Sequence, residues 1–273
     1  MFWVWGIYNL FENGLLNAIR SATHPDEVGE AVLTGCGFLA VVIISYLLGS
    51  INSAIVVSRI FYKDDVRRHG SGNAGLTNTL RTYGLKAAGF TLLGDVLKTV
   101  LAILIGAVLG GFCYYRGISV GKFWGDMPMA YIAGFFSIIG HILPVYYGFK
   151  GGKGVLCTAA MALVLTPVEF CILILLFIGI VAVSKYVSLG SITAAFFYPI
   201  TVAAHTKLAV GADSSLDGAV AIITILIALI IIYCHRENIA RISKGTERKL
   251  SFKKKAADTA PAQDGGSEDN VTK

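Results

Sequence analysis

Long apolar runs constrain this chain more than any other feature. They lie at about 35–62, 85–112, 129–147, 154–166, 168–183, 192–207 and 216–234, and roughly 20 apolar residues suffice for a helix to cross a bilayer. Hydrophobic residues make up 55% of the 273 residues and charged residues only 15%, against about 25% charged in a soluble domain. Lipid is therefore the main solvent of the chain. The expected fold is all-α, a polytopic membrane helix bundle of about seven transmembrane helices with little mass outside the bilayer.

The formal net charge of +6 follows membrane orientation and needs no nucleic-acid partner. With the N-terminus outside and the C-terminus cytoplasmic, Arg20, Arg116, Lys122 and Lys207 lie outside and Lys98 lies within the membrane. The other 18 of the 23 Lys and Arg residues then fall on the cytoplasmic side, as the positive-inside rule requires. This orientation puts the polar stretches at 63–86, 148–153, 184–191 and 235–255 on one face. It depends on counting the helices on either side of Pro167 separately. The run at 154–166 is short for a full span, and runs of that length are often re-entrant or supported by neighbours.

The flanks are different. Residues 1–20 mix Phe2, Trp3, Trp5 and Tyr8 with Asn9, Glu12 and Asn13, which predicts an amphipathic helix at the membrane surface. Residues 21–31 read as a polar, acidic loop, so residues 1–35 form an N-terminal interfacial segment and outer loop. No basic region precedes the first apolar residues, which argues against a cleavable signal. Leu33-Thr34-Gly35-Cys36 has the look of a lipoprotein cleavage site, but the acidic residues before it are wrong for one. The five cysteines lie in or beside apolar runs without a Cys-x-x-Cys pair and read as free thiols rather than metal ligands. Residues 251–273 read as a polar, disordered cytoplasmic tail after the membrane domain at 36–250.

Chemistry concentrates in the polar stretches. His69-Gly-Ser-Gly-Asn-Ala-Gly-Leu-Thr-Asn-Thr-Leu-Arg81 supplies turning glycines, neutral hydrogen-bonding groups and a guanidinium, a combination suited to an oxyanion such as phosphate. Gly140-His141 opens a second stretch that ends Phe149-Lys150-Gly-Gly-Lys153-Gly154. Its spacing is not that of a Walker A loop. Lys153, between Gly152 and Gly154, has the stronger functional case, whereas Lys150 is equally well a positive-inside residue. The third stretch is Ser184-Lys185-Tyr-Val-Ser188-Leu-Gly190-Ser191. The fourth begins His235-Arg236-Glu237-Asn238-Ile239 and carries eight basic and two acidic residues between 236 and 255, read as attraction to anionic headgroups. Asp95 and Lys98 lie three apart inside the second span and read as a structural ion pair.

Four ordered motifs carry a family resemblance. Gly-Ser-Gly-Asn-Ala-Gly-Leu-Thr-Asn at 70–78, Phe-Lys-Gly-Gly-Lys-Gly at 149–154, Ser-Leu-Gly-Ser at 188–191 and His-Arg-Glu-Asn-Ile at 235–239 resemble the signature of the PlsY family. These are bacterial acyl-phosphate:glycerol-3-phosphate acyltransferases of the inner membrane. The resemblance runs from about residue 36 to 250. Leu76 stands where the family usually has Ala, and Gly190 where it often has Ser, which weakens any claim for a second hydroxyl beside Ser191. Residues 1–35 and the tail inherit nothing from it.

The resemblance implies a seven-helix enzyme that moves a fatty acyl group from acyl phosphate to the sn-1 hydroxyl of glycerol 3-phosphate. Lysophosphatidic acid and phosphate are the implied products, and no cofactor or metal is expected. Membrane lipid and an acyl-phosphate-producing enzyme are the implied partners. Both substrates carry phosphate and the leaving group is already good, so positioning and charge stabilisation suffice without an acyl-enzyme. Candidate catalytic residues are His235, Lys153, Arg81 and Ser71. Ser71, Arg81, Lys153 and Ser191 are assigned to phosphate, with Gly72, Asn73 and Asn78 shaping the first loop. His141, Lys150 and Ser188 complete the candidate binding set, and His235 and Asn238 orient the glycerol hydroxyl with Glu247 in support. The proton acceptor is either His235 or a substrate phosphate. The rival class is a small transporter of an organic or phosphorylated anion, which would use broken helices at a midplane site.

Overall fold

The computed structural model describes residues 14–110, 129–209 and 216–250, and all longer elements among these are helices. The aromatic residues 1–13, the link at 111–128 and the tail from 251 lie outside the described residues, so the expected disordered tail and most of the surface helix do too. Residues 14–23 form α1, whose Leu16 packs close against Gly37. The expected loop at 21–31 is shorter than its polarity suggested. Asp26 accepts a 2.8 Å hydrogen bond from the Gly29 N–H and so starts α2 (Glu27–Ser50) inside that acidic stretch.

The first apolar run is not one unbroken helix. α2 stops at Ser50 and α3 (Ser53–Tyr62) restarts after Ile51 and Asn52. Asn52 is fully buried and makes the break affordable. Its Oδ1 accepts from the Ile55 N–H at 3.1 Å, capping α3, and its Nδ2 donates to the Ala74 carbonyl at 3.1 Å. The first polar loop is thereby tied to the broken helix. It passes into α4 (Leu76–Tyr83), then α5 (Leu85–Gly110) and, after the undescribed link, α6 (Met129–Ile142).

The chain around Pro167 divides as the orientation argument requires. α7 (Val155–Leu165) ends one residue before α8 (Pro167–Ser184), and Pro167 occupies the first turn of α8, where its missing N–H costs little. At 1.5 Å per residue α7 rises only about 16 Å, roughly half the hydrocarbon thickness. The third polar stretch is corrected more sharply. Only Lys185 and Tyr186 lie between helices, and Ser188, Gly190 and Ser191 sit in the first turns of α9 (Val187–Ala209). α10 (Leu216–Cys234) follows and meets α11 (Arg236–Ser243) at a 54° bend. Among the described residues, five helical stretches have the length and apolarity to cross a membrane, or six if the bent pair is one span. The short α7 accounts for a seventh apolar run without spanning alone.

Small residues set the helix spacing. A Cβ on Gly49 would stand 2.2 Å from the Ser137 carbonyl oxygen, and one on Gly140 would stand 2.3 Å from that of Tyr46. The backbones of α2 and α6 thus touch, as small residues allow between membrane helices. Val41, Ile103, Met161, Tyr198 and Ile227 fill the interior, while Leu101, Ile172, Leu175 and Leu229 are exposed, as expected of a surface bathed in lipid. Cys157 is buried and Cys36 and Cys171 are exposed, all as free thiols; Cys113 lies outside the described residues. Replacing Gly140 by Val should lower the thermal midpoint of the detergent-solubilised protein, since overpacking costs about 1–3 kcal/mol or more. Gly89→Ala, with nothing within 4 Å of the added carbon, should leave it in place.

Candidate active site

The polar stretches meet at one cavity of about 580 Å³. Its first wall is the loop before α4. Gly70 and Gly72 take positive φ values of 59° and 72°, a backbone conformation open to glycine. Asn78, buried on α4, then clamps the loop from inside. Its Nδ2 donates to the Val66 and His69 carbonyls, both at 3.0 Å, and its Oδ1 accepts from the Ser71 N–H at 3.0 Å. Asn78 therefore shapes the loop, and Ser71, Asn73 and Arg81 are the side chains it presents to the cavity.

The second wall is the glycine-rich loop before α7. Arg67 ties it to the first, pairing with Asp65 at 2.7 Å while donating to the Tyr147 and Lys150 carbonyls at 2.9 and 3.1 Å. Lys153 enters the cavity and donates to Asn238 Oδ1. Burial lowers its pKa, and the nearby Arg241 charge lowers it further, so an arriving anion would relieve a destabilised ammonium. Lys150 does not join the site: its side chain is exposed and away from the cavity lining. Gly72 likewise bends the loop without lining the cavity.

The remaining wall comes from α9, α11 and the segment after α11. Ser188 donates to Glu247 Oε1 at 2.7 Å, as does Asn238 Nδ2 at 2.7 Å, and Arg241 Nε donates to Oε2 at 2.8 Å. Burial alone would raise the Glu247 pKa, but these three hydrogen bonds outweigh it and hold it below the usual range. Ser191 lines the cavity with its hydroxyl proton committed to the Val187 carbonyl at 2.9 Å. The Leu250 N–H donates to the Lys185 carbonyl at 2.7 Å, and Arg81 reaches the Arg248 carbonyl at 3.4 Å. The stretch from Gly245 to Leu250 is thus tied to the α8–α9 junction and to α4, with Glu247 and Arg248 lining the cavity.

His235 stands at the bend between α10 and α11. Its Nδ1 lies 2.7 Å from the Ile231 carbonyl, an acceptor only, so Nδ1 carries the proton and Nε2 keeps a lone pair. Burial pushes its pKa down to about 4. His141 also lines the cavity, but its Nδ1 is 3.1 Å from Lys98 Nζ, and its Nε2 packs so near Gly152 that a Cβ there would lie 2.1 Å away. Asp95 and Lys98 form the expected ion pair at 2.8 Å. One ligand atom each from Asp95, His141 and Cys157 lies within 4.8 Å of the others. A metal would have to displace the Lys98 ammonium already seated beside two of them.

Sequence reasoning missed Arg241 and Arg248, which line the cavity and had been read as headgroup-binding charges. The signal available was spacing, since Arg241 falls one turn beyond Asn238 on α11. Beyond the polar end the cavity continues between α7, α8 and α9 along Ala159, Phe170, Leu173, Ile174, Phe177 and Tyr198. One cavity thus joins a cationic head to an apolar groove.

Comparison with known proteins agrees with this geometry. Residues 39–245 match the family model described as glycerol-3-phosphate acyltransferase. A glycerol-3-phosphate acyltransferase of Chlorobaculum tepidum is 37% identical over 233 residues, covering 80% of this chain and 98% of the relative. One of Syntrophomonas wolfei subsp. wolfei is 40% identical over 214 residues, covering 78% and 97%. The crystal structure of PlsY (YgiH), an integral membrane glycerol 3-phosphate acyltransferase, in its glycerol 3-phosphate form, aligns with a TM-score of 0.65 at 32% identity, covering 78% of this chain and 96% of that one. Its lysophosphatidic acid form aligns with a TM-score of 0.63, also at 32% identity, covering 78% and 95%.

The His235 arrangement has a measurable consequence. A folded-state pKa near 4 lies below the ordinary histidine value of about 6.5, so between these values the unfolded chain binds a proton the folded one refuses. The stabilisation is complete above about pH 6.5 and is lost as pH falls toward 4. The His235 imidazole resonance of the ligand-free protein should titrate near pH 4. A midpoint near 6.5 would show a ring open to water.

Proposed function

The chain belongs to the glycerol-3-phosphate acyltransferase family, and from that premise we propose that its donor is acyl phosphate and that the cationic end of the cavity holds both phosphates. The protein is a multi-pass inner-membrane enzyme that transfers an acyl group to glycerol 3-phosphate in phospholipid synthesis. The proposed topology has the N-terminus outside and the cationic loops at the cytoplasmic face, where a soluble phosphate ester arrives. The observation that carries the donor assignment is the single cavity with a cationic head and an apolar groove. An acyl phosphate has the same two parts, an anion joined directly to a hydrocarbon chain.

In this reading Arg81, Ser71 and the first loop hold one phosphate and Lys153 the other, with Arg241 and Arg248 adding positive charge. The acyl chain lies between α7, α8 and α9, and its carbonyl carbon falls where the polar wall gives way to the apolar one. The sn-1 hydroxyl of glycerol 3-phosphate points at His235 Nε2. Its oxygen attacks the acyl carbon, the bond from that carbon to the phosphate oxygen breaks, and phosphate leaves with the electron pair. Lysophosphatidic acid and inorganic phosphate result. We assign the hydroxyl proton to the leaving phosphate, with His235 orienting the hydroxyl, because the Nδ1 proton of His235 is held by a neutral carbonyl rather than by a carboxylate that would strengthen the ring as a base. Asn238 and Glu247 keep Lys153 and the α9 terminus in register. An enzyme that makes acyl phosphate must supply the donor.

The test supplies purified protein with palmitoyl phosphate and glycerol 3-phosphate, measuring phosphate release and lysophosphatidic acid by mass spectrometry. Equimolar products that require both substrates are expected; no product from folded protein would overturn the donor assignment. Arg81→Ala and Lys153→Ala should each lower kcat/KM by about a hundredfold or more, the usual effect of removing a charged transition-state donor. Near-wild-type turnover in either would take that residue out of the site.

A further inference from the structure

We infer that Asp95 is a substrate-contacting residue whose Oδ2 accepts a hydrogen bond from the secondary hydroxyl of glycerol 3-phosphate, an assignment that rests on the acyltransferase reading above. Asp95 is 1% exposed yet lines the cavity. Its two oxygens are treated differently. Oδ1 is 2.8 Å from Lys98 Nζ, 3.4 Å from the Ser53 N–H and 3.5 Å from His141 Nδ1. Oδ2 is buried with no hydrogen-bond partner among the described residues. A carboxylate oxygen without a donor is costly, and because Asp95 is among the residues that line the cavity, a small shift of its carboxylate toward a bound ligand would give Oδ2 the donor it lacks.

The chemistry of that something is restricted. Oδ2 of a salt-bridged carboxylate can only accept, so the ligand must donate. An acyl phosphate dianion has no donor hydroxyl, whereas glycerol 3-phosphate has two. The primary hydroxyl is the nucleophile and belongs with His235, which leaves the secondary one. Lys98 neutralises the Asp95 charge, so the carboxylate does not repel a phosphorylated substrate as an unpaired one would.

Thr158 strengthens the assignment. Its Oγ1 is the other buried cavity-lining atom without a partner among the described residues. It follows Cys157, whose sulfur lies within 4.8 Å of the Asp95 and His141 ligand atoms. A hydroxyl can donate to the carboxylate and accept from the threonine at once, so an acceptor and a donor lining the same cavity suit a secondary alcohol. The wall stands beside the catalytic loops, because His141, bonded to Lys98, packs on Gly152 next to Lys153.

The experiment is a cycle between enzyme and substrate. Wild type and Asp95→Asn are each assayed with palmitoyl phosphate and either glycerol 3-phosphate or propane-1,3-diol monophosphate, which lacks only the secondary hydroxyl. The ratio of the two kcat/KM values cancels any difference in folded fraction. Wild type should prefer glycerol 3-phosphate by about tenfold to a hundredfold, the range for a hydrogen bond to a buried charge, and the variant by about threefold or less. If Asp95→Asn does not accumulate, Thr158→Val is read in the same way and should also shrink the ratio. Equal ratios in wild type and variant, or a wild type that accepts both alcohols alike, would overturn the inference while leaving the acyltransferase reading intact. No turnover by wild type with either alcohol would instead strike the acyl-phosphate donor assignment.

Discussion

The Lys98 ammonium is the point on which the rest of the structure depends. It donates to the Ile51 carbonyl at 2.7 Å, pairs with Asp95 at 2.8 Å and contacts His141 at 3.1 Å. Those partners lie at the break between α2 and α3, on α5 and on α6. A carbonyl released by a broken helix must find a donor where no water reaches, and the ammonium supplies it. Once the break is stabilised, Asn52 can hold Ala74 of the first loop, and His141 can support Gly152 of the second. A charge that membrane insertion disfavours thus fixes two glycine-rich loops that line the cavity to one rigid base.

The second organising charge is Glu247, which works from the opposite side. It gathers Ser188 of α9, Asn238 and Arg241 of α11 and, through Asn238, Lys153 of the second loop. A carboxylate beside an anion site would ordinarily weaken it. Here the charge is covered by three donors, and it draws Arg241 into the lining. Removing Glu247 would free a cation but lose the register of three elements, so its contribution is geometric before it is electrostatic.

Much of this was legible in the sequence, for reasons particular residues make clear. Ser71, Arg81 and Lys153 stand out because polar and cationic groups are rare in this chain and cluster there with glycines, and His235 and Asn238 because they break off a long apolar run. The two-helix division at Pro167 followed from length and from what proline forbids. Other features were hidden because they depend on partners distant in the chain. Nothing local tells that Ser188 begins a helix rather than sitting in a loop, or that Asn52 breaks a run of apolar residues. Arg241 and Arg248 look like headgroup charges because what holds them inward is distant from them in the pattern: Glu247 draws Arg241 of α11 to the cavity, and a backbone bond from Leu250 to Lys185 ties down the segment that carries Arg248. Lys150 and Lys153 share one glycine-rich context, and only the fold separates the exposed one from the half-buried one that lines the cavity. Asp95 and Lys98 were readable as an ion pair, but not the inequality between the two carboxylate oxygens.

The placement of the cavity decides what catalysis requires. Its cations are held before substrate arrives, and burial makes Lys153 less comfortable in the absence of an anion than in its presence. Binding of an anion would relieve a cost already incurred in folding, and in the proposed reaction no reorganisation would be needed as charge moves from the acyl carbonyl to the departing phosphate. The apolar groove contributes in the same direction. By anchoring the hydrocarbon chain of the proposed donor it would confine the carbonyl to the boundary between the two surfaces. With the acyl-phosphate donor proposed above, the leaving group is already activated, so holding the two reactants in line would supply most of what the reaction needs, and a helical bundle with one preformed cavity can provide that.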